Sequence, residues 1–423
     1  MPPDEKIAIS LKFGHGHLSA QIDSTRLGGW LLPQTAQDLP GEVETIQAAL
    51  DQPIGTPRLR DLLSPGQRVT IVTSDITRPC PSKILLPPVL KELEEAGILT
   101  KDITIVLALG IHRQHTQAEK EALVGSDILK NFKVIDHDPN KCLNLGTTSR
   151  GTPIDVFDEV ARADKRVLLG NVEYHYFAGF SGGAKAILPG VSSPRAIKNN
   201  HRLMTQPLAR AGILTGNPVR ADIDELPNHL SVDFILNVVL GEDKKVRAAF
   251  AGHHLKAHRA ACHKLDEMFQ THLPAPGADV VLVSAGGYPK DINVYQAQKA
   301  LDNAAQAVRP NGTIIWVGAC DEGYGEKTFE RWLREAKSPQ DLILRANQNF
   351  ELGGHKAAAI ALVLERCDVL FVSNLSPQMA SSLFVTPAND LTLALNQAFE
   401  RLGPESKVFI MPYGGSTLPK IDP

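Results

Sequence analysis

Eight short runs rich in β-branched residues recur along this chain, with helical patterns between them. They are RVTIVTSD (68–75), DITIVLALG (102–110), RVLLGNV (166–172), VDFILNVVLG (232–241), ADVVLVSAGG (278–287), GTIIWVGA (312–319), DVLFVSN (368–374) and KVFIMPYGG (407–415). Near-continuous apolar runs of this length, rather than alternating ones, mark strands buried on both faces, as in parallel sheets covered by helices. SKILLPPVLKELEEAG (82–97), YQAQKALDNAAQAV (295–308) and LTLALNQAFERLG (391–403) supply such helices. The alternation predicts an α/β protein with mostly parallel sheets flanked by helices. A chain of 423 residues is too long for one hydrophobic core, so two α/β domains are expected. The break is expected at HLPAPGADV (272–280), where two prolines and a glycine precede a new strand. This gives an N-terminal domain at 1–272 and a C-terminal domain at 273–405, with the tail 406–423 able to pack back onto the first. Residues 6–23, KIAISLKFGHGHLSAQID, form a hairpin pattern turning at Gly14 and Gly16.

Charge and cysteine usage exclude several classes. Basic residues (44) nearly balance acidic ones (47), and a net charge of −3 gives no basis for nucleic acid or anionic membrane as a partner. The longest apolar stretch, AAAIALVLERCDVLFVS (357–373), is interrupted by Glu365, Arg366 and Asp368, so no membrane span is expected. The start, MPPDEKIAIS, lacks the pattern of a secretory signal. Cys80, Cys142, Cys262, Cys320 and Cys367 are scattered and form no C-x-x-C pair. A reducing, cytoplasmic setting is expected, without a disulfide framework or structural zinc.

Ligands of open α/β sheets bind at the carboxyl ends of strands, so the loops after these runs are the informative places. Asp75, Thr77 and Arg78 follow the first run, where an Asp–Arg turn or a carboxylate-binding arginine is expected. His112 and His115 follow the second, either as an acid/base histidine with a loop neighbour or as a metal pair. After the third comes HYFAGFSGGAKAILPG (175–190). It approaches the phosphate-binding template G-x-x-x-x-G-K-[ST]: Gly179 and Lys185 fit, but Ala184 and Ala186 stand where glycine and a magnesium-binding hydroxyl belong. Ordinary Mg·ATP chemistry is therefore not expected, whereas backbone N–H groups and a lysine still suit some phosphorylated ligand. His201 follows SPRAIKNN, as a helix-end cap or as a lone protein ligand to a metal otherwise held by a cofactor. Tyr295, Gln296 and Lys299 open a helix after GYPKDINV, where a lysine at a helix start attracts carboxylates.

Taken in order, DITRP (75–79), GIHR (110–113), HYFAGFSGGAK (175–185) with a histidine sixteen residues beyond the lysine, and GYPKDINVYQAQKA (287–300) resemble the nickel-dependent lactate racemase family. The resemblance spans the chain to the closing PYGGSTLP (412–419). It implies a racemase or epimerase that inverts C2 of a 2-hydroxy acid by reversible hydride transfer through a 2-keto acid. The cofactor implied is a nickel-pincer nucleotide, a pyridinium-3,5-bisthiocarboxylic acid mononucleotide attached at Lys185 and made by dedicated biosynthetic enzymes. The N-terminal domain would bind it, with the active site in an interdomain cleft. Gly182 and Gly183 would let backbone approach the cofactor, and Asp75 and Thr77 would support its placement. His201 would ligate nickel, and His112 and His175 would be the acid/base pair. Arg78 and Lys299 would hold the substrate carboxylate, with Tyr295 and Gln296 lining the pocket.

His115, and Gln114 beside it, suggest a pocket more polar than strict lactate use requires, and so a larger acid or a sugar acid such as gluconate. Two rival functions stay open: a zinc-dependent hydrolase using His112, His115 and His175, and a non-catalytic nickel- or nucleotide-binding protein. His253, His254, His258 and His263 are expected on a solvated helix. Cys80 is expected to be a small buried hydrophobe.

Overall fold

The structure, a computed structural model, describes residues 5–33, 41–241 and 243–422. The chain forms two compact units. One is Ala36–Glu267; the other combines Met1–Thr35 with Met268–Pro423.

The central unit, 36–267, is built on a six-stranded sheet. Across it the order is Val246–Gly252, Phe234–Leu240, Lys165–Asn171, Val69–Ser74, Ile103–Ala108 and Lys133–Asp136. Every neighbouring pair is parallel except the outer pair 234–240 and 246–252. Ile71, Ile105, Val167, Leu169 and Leu236 face the helix Ser82–Glu95, whose Leu85, Leu86, Val89 and Leu93 recur at helical spacing in the same core. From Val69–Ser74 the chain builds outward in one direction, then returns and builds outward in the other from Lys165–Asn171. The two strands on either side of that reversal part their following loops, which opens a crevice at their carboxyl ends.

The split unit carries a second six-stranded sheet, wholly parallel. Its order is Thr386–Ala388, Asp368–Val372, Val308–Val317, Ala278–Ser284, Val408–Met411 and Leu27–Trp30. Alternate residues go to opposite faces, as strand geometry requires. Val281, Val283, Ile314 and Trp316 meet Val294, Leu301, Ile360 and Phe329, while Val280, Leu282, Ile315 and Val317 meet Leu391, Leu395, Ile9 and Leu11.

The expected domain limits are corrected here. The hairpin Lys6–Phe13/Gly16–Asp23 forms as expected, but it lays Ile9, Leu11, Ala20 and Ile22 on the second sheet. Leu27–Trp30 extends that sheet, so the first 35 residues belong with the C-terminal half and not to a 1–272 domain. The tail, too, belongs to the split unit. Val408–Met411 is an inner strand beside Ala278–Ser284, and Leu418–Ile421 pairs with Gln270–Leu273. A lone hairpin cannot bury its apolar face by itself, so it must cover some sheet, and local pattern does not say which. No helix among the described residues is long and apolar enough to cross a membrane.

Candidate active site

The carboxyl ends of Val69–Ser74, Ile103–Ala108 and Lys165–Asn171 converge on one pocket within the central unit. Its wall includes Asp75, Arg78, Gly110, His112, Glu173, His175, Gly182, Gly183, Lys185 and Asn237.

Asp75 is the first residue past its strand and is 2% exposed. The Arg78 N–H closes a turn on the Asp75 carbonyl at 3.1 Å. The Thr77 hydroxyl donates to Asp75 Oδ1 at 2.8 Å, and His112 Nδ1 donates to Oδ2 at 2.5 Å. Burial alone would raise the Asp75 pKa. The bonds from His112 and Thr77 and the charge of Arg78 outweigh it and hold the group below the usual carboxylate range. Asp75 is therefore an anion that keeps a proton on His112 Nδ1, which leaves Nε2 as the proton acceptor. Thr77 is not on the wall; it acts through Asp75.

His115 departs from expectation. Its Nδ1 donates to Asp136 Oδ1 at 2.7 Å, and its Nε2 accepts the Ile76 N–H at 3.1 Å. Asp136 Oδ2 accepts from the His115 N–H and from Lys120. Both ring nitrogens are committed, with the imidazole buried, to tying the 75–78 turn to the edge strand Lys133–Asp136. His115 thus offers neither a metal ligand nor a polar contact to substrate, and Gln114 is exposed and off the wall. Among the described residues no cluster of three or more His, Cys, Asp or Glu side chains is placed to hold a metal, so the zinc-hydrolase reading has no support.

Beyond Lys165–Asn171 the chain makes a tiny antiparallel pair, Tyr174–His175 with Gly179–Phe180. Gly182 (φ +79°) and Gly183 (φ +62°) then turn it into the short 3-10 helix Gly183–Ala186 that carries Lys185. A Cβ on Gly182 would lie 2.8 Å from both Asn237 Oδ1 and Val172 Cγ2, and one on Gly183 would lie 3.0 Å from the His258 ring. The Gly183 N–H donates to Asn237 Oδ1 at 2.8 Å. Left-handed backbone and close packing on the protein's own side chains therefore already require both glycines.

Lys185 and His175 titrate far from their ordinary values. Burial, with the nearby charges of Arg78 and Arg220, lowers the Lys185 pKa from 10.5 to about 7, against an opposing pull from Glu173. Burial, then the charge of Lys185 and that of Arg78, holds His175 well below its ordinary value, so its ring is neutral. His175 Nδ1 accepts the Ala178 N–H at 3.2 Å, which places the ring proton on Nε2. The two histidines on this wall thus present opposite tautomers.

His201 ends the helix Pro194–His201, which Ser193 caps by accepting the Ala196 N–H. It is buried and is not one of the residues on the pocket wall. Its ring meets the edge of Phe177 at 4.8 Å, and His175 meets the same ring at 4.5 Å. Tyr295, Gln296 and Lys299 belong to the split unit, in the first turns of the helix Val294–Ala304 capped by Asn293. Gln296 and Lys299 are exposed and three residues apart, on one face. Tyr295 packs edge-on against Phe329, and Lys356 Nζ sits 4.0 Å from its ring centroid.

Sequence reasoning missed Glu173 and Asn237. Asn237 had a visible signal, being one polar residue inside the buried strand FILNVVL. The expected solvated helix at 253–263 is also corrected. His258 is 1% exposed, packed beneath Gly182 and Gly183, and donates from Nε2 to the Ser181 carbonyl at 2.8 Å.

Comparison with known proteins identifies the family. Residues 13–212 match the lactate racemase N-terminal domain, and residues 273–418 match the lactate racemase C-terminal domain. A lactate racemase of Thermoanaerobacterium thermosaccharolyticum is 35% identical, covering 97% of this chain and 98% of that protein. One of Lactiplantibacillus plantarum is 33% identical, covering 96% and 98%. The lactate racemase apoprotein structure from T. thermosaccharolyticum aligns with a TM-score of 0.89 at 34% identity, over 98% of this chain and all (100%) of that one. A Thermotoga maritima structure, at TM-score 0.63, 19% identity and coverage of 92% and 100%, shares the fold alone. With both domain models matched in order and full-length relatives at this identity, the chain belongs to the lactate racemase family.

Proposed function

We propose that this isomerase inverts C2 of a 2-hydroxy acid of lactate type, using a nickel-pincer nucleotide held at Lys185. The observation that carries this reading is the pocket wall itself. One histidine offers an acceptor nitrogen backed by a buried carboxylate, another presents a neutral N–H, and a lysine titrates near 7, all around one cavity.

The residues suit the cofactor. A lysine half neutral near pH 7 is a competent amine nucleophile, unlike an ordinary one. Arg78 and Lys185 give the wall positive charge suited to phosphate and carboxylate. His201 offers a buried imidazole, a donor that nickel accepts.

Removing the C2 hydrogen as a proton would place a carbanion beside a carboxylate. Moving it as a hydride avoids that charge but needs an electron sink that side chains lack. The nucleotide, when bound, would supply a reversible two-electron hydride acceptor. The chain does the rest. His112 Nε2 takes the hydroxyl proton, and Asp75 stabilises the resulting imidazolium. Arg78 keeps the carboxylate of the planar 2-keto acid fixed while rotation about C1–C2 presents the other face. His175 handles the proton for the opposite enantiomer. Burial is the main cause of the depressed His175 pKa; joining Lys185 through its amine removes the largest of the nearby charges that add to it, and so eases protonation of that ring. On the resemblance alone, Lys299 would be the second carboxylate contact, with Gln296 and Tyr295 lining the pocket.

The case for a larger acid such as gluconate rested on His115 and Gln114, and neither reaches the wall. Lactate-like acids are therefore the first substrates to test, with sugar acids in the same panel. The protein is produced together with the cofactor's biosynthetic enzymes, and nickel content and intact mass are recorded. It is then given one enantiomer of 2-deuterated lactate. Scrambled stereochemistry with the deuterium retained at C2 is expected. Fully loaded enzyme that leaves every acid in the panel untouched, or that washes the label into solvent, would refute the proposal.

A further inference from the structure

The carbonyl groups of six successive residues, 177–182, each accept a hydrogen bond from outside the loop. Asn217 Nδ2 donates to the Phe177 carbonyl at 2.9 Å, and the Gly212 N–H to that of Gly179 at 3.0 Å. Arg220 reaches three more: Ala178 from Nε at 3.4 Å, Gly182 at 3.5 Å, and Phe180. His258 Nε2 takes Ser181 at 2.8 Å. Arg220 is 0% exposed and His258 1%. A guanidinium so deeply buried is costly unless its donors are taken, and here the loop takes them. Its charge is met by Asp224 at 3.5 Å. Asp224 also pairs with Arg259, which donates to His258 Nδ1 at 2.7 Å. That last bond fixes the His258 tautomer: Nδ1 accepts, so the proton sits on Nε2, facing Ser181. Arg220, Asp224, Arg259 and His258 thus form one closed support under the loop.

We propose that Arg220 and His258 are positioning residues of this site. They hold the carbonyl oxygens of residues 178, 180, 181 and 182 toward the body of the unit. This fixes the turn from which Lys185 enters the pocket and keeps those oxygens from repelling an anion there. The assignment rests on Lys185 being the reactive amine proposed above. The charged and titratable groups facing Lys185 are Arg78 from the turn after Val69–Ser74, Arg220 from the helix Pro218–Glu225, and Glu173 and His175 from the loop after Lys165–Asn171. Losing Arg220 removes a positive charge from that set, so the Lys185 amine binds its proton more tightly and is less reactive at neutral pH.

The test uses the full-length, cofactor-free chain. Trace acetylation of Lys185 is followed by mass spectrometry from pH 6 to pH 10, and amide hydrogen exchange is followed across 178–183. Wild type is expected to half-titrate near pH 7 with a protected loop. Arg220→Met should raise the midpoint by at least about half a unit, lowering labelling at pH 7 about twofold or more, and should expose the loop amides. Arg220→Lys keeps the charge but loses the fork, so the labelling profile should be largely kept while protection falls. A folded Arg220→Met with wild-type labelling and wild-type exchange overturns the proposal. Should Arg220→Met not fold, Arg259→Met serves, because Arg259 is 28% exposed and acts on the loop only through His258 and Asp224. Unchanged exchange at 178–183 in that variant is equally fatal, and faster exchange supports the assignment. A wild-type Lys185 that titrates near 7 yet never acquires the nucleotide in cells would refute the proposed function and leave this assignment standing.

Discussion

Replacing Asp75 by asparagine reverses the proton on His112 without changing its position. Asp75 Oδ1 accepts from the Thr77 hydroxyl and Oδ2 from His112 Nδ1 at 2.5 Å. In Asp75→Asn the amide oxygen takes the Thr77 hydrogen, so the amide nitrogen faces His112. An amide NH2 only donates, so His112 Nδ1 must accept and the ring proton moves to Nε2. The nitrogen expected to receive the substrate hydroxyl proton is then already occupied. A hydrogen bond to a charged group contributes about 1.5–3 kcal/mol, and a factor of ten in rate is about 1.4 kcal/mol. The lost carboxylate alone should lower kcat about 10- to 150-fold, and the tautomer change adds to that. KM should move little, because Arg78 is untouched. The assay is racemisation from each enantiomer by enzyme whose nickel content and intact mass match wild type. The ¹⁵N shifts of His112 in the cofactor-free chain report the tautomer independently. A kcat within about threefold of wild type, with Nδ1 still carrying the proton, would refute the reasoning.

Three further outcomes are expected. Lys185→Met should fold normally, lose the nucleotide mass increment and bound nickel, and show no racemisation, as read by intact mass, metal analysis and thermal melting. His137 is fully buried, neither ring nitrogen has a hydrogen-bond partner among the described residues, and burial lowers its pKa from 6.5 to about 4; the unfolded chain therefore binds this proton first, and stability present above pH 6.5 is lost as pH falls toward 4. The loss is about 3 kcal/mol at about 1.4 kcal/mol per unit, so His137→Leu should gain by roughly that amount on wild type between pH 7.5 and pH 4 in urea midpoints, and an equal gap at both would refute it. His115→Phe strips Asp136 of a buried partner and the Ile76 N–H of its acceptor, and should cost about 1–3 kcal/mol of stability by chemical denaturation while leaving the order of preferred acids unchanged.

What could be read from sequence follows from burial. Strands such as TIVTS or VVLVS, covered on both sides, have a compositional signature that survives without knowledge of their neighbours. Edge strands do not. Val246–Gly252 is half exposed and written VRAAFAG, and Lys133–Asp136 has four residues; neither forms an apolar run. The hairpin at 6–23 was legible because its pairing is local, but its owner was not, because covering a sheet is a long-range event. The same division runs through the site. Asp75, His112, His175 and Lys185 are legible because parallel topology makes strand ends meaningful. His115 was misjudged because a loop histidine's spacing does not tell which way its ring turns, and here Asp136 turns it inward. His258 was misjudged because Lys256 and Arg259 beside it look solvated; only the packed helix shows that the third side chain of KAHR points under the glycine loop.

The electrostatics of the pocket impose an order on its chemistry. Arg78 on the wall and Arg220 beneath it set a positive potential that Glu173 only partly offsets. Burial and that potential together make Lys185 release its proton near 7, and burial with the charges of Lys185 and Arg78 keeps His175 neutral. The same potential favours an incoming phosphate or carboxylate, whose negative charge would offset the share of both shifts that comes from nearby cations. While Lys185 is a free amine it competes with His175 for the little protonation the site tolerates. Once its nitrogen is tied into a neutral bond, the largest charge acting against His175 is gone; burial stays, and of the wall's charges only Arg78 is left against it, itself neutralised whenever a substrate carboxylate is bound. Acid–base work at His175 is thus coupled to two prior events, attachment at Lys185 and arrival of a carboxylate. The cofactor-free chain should therefore be inert, with no slow proton exchange at C2 of a bound 2-hydroxy acid, because its side chains offer no electron sink for the C2 hydrogen and buried His175 is held neutral.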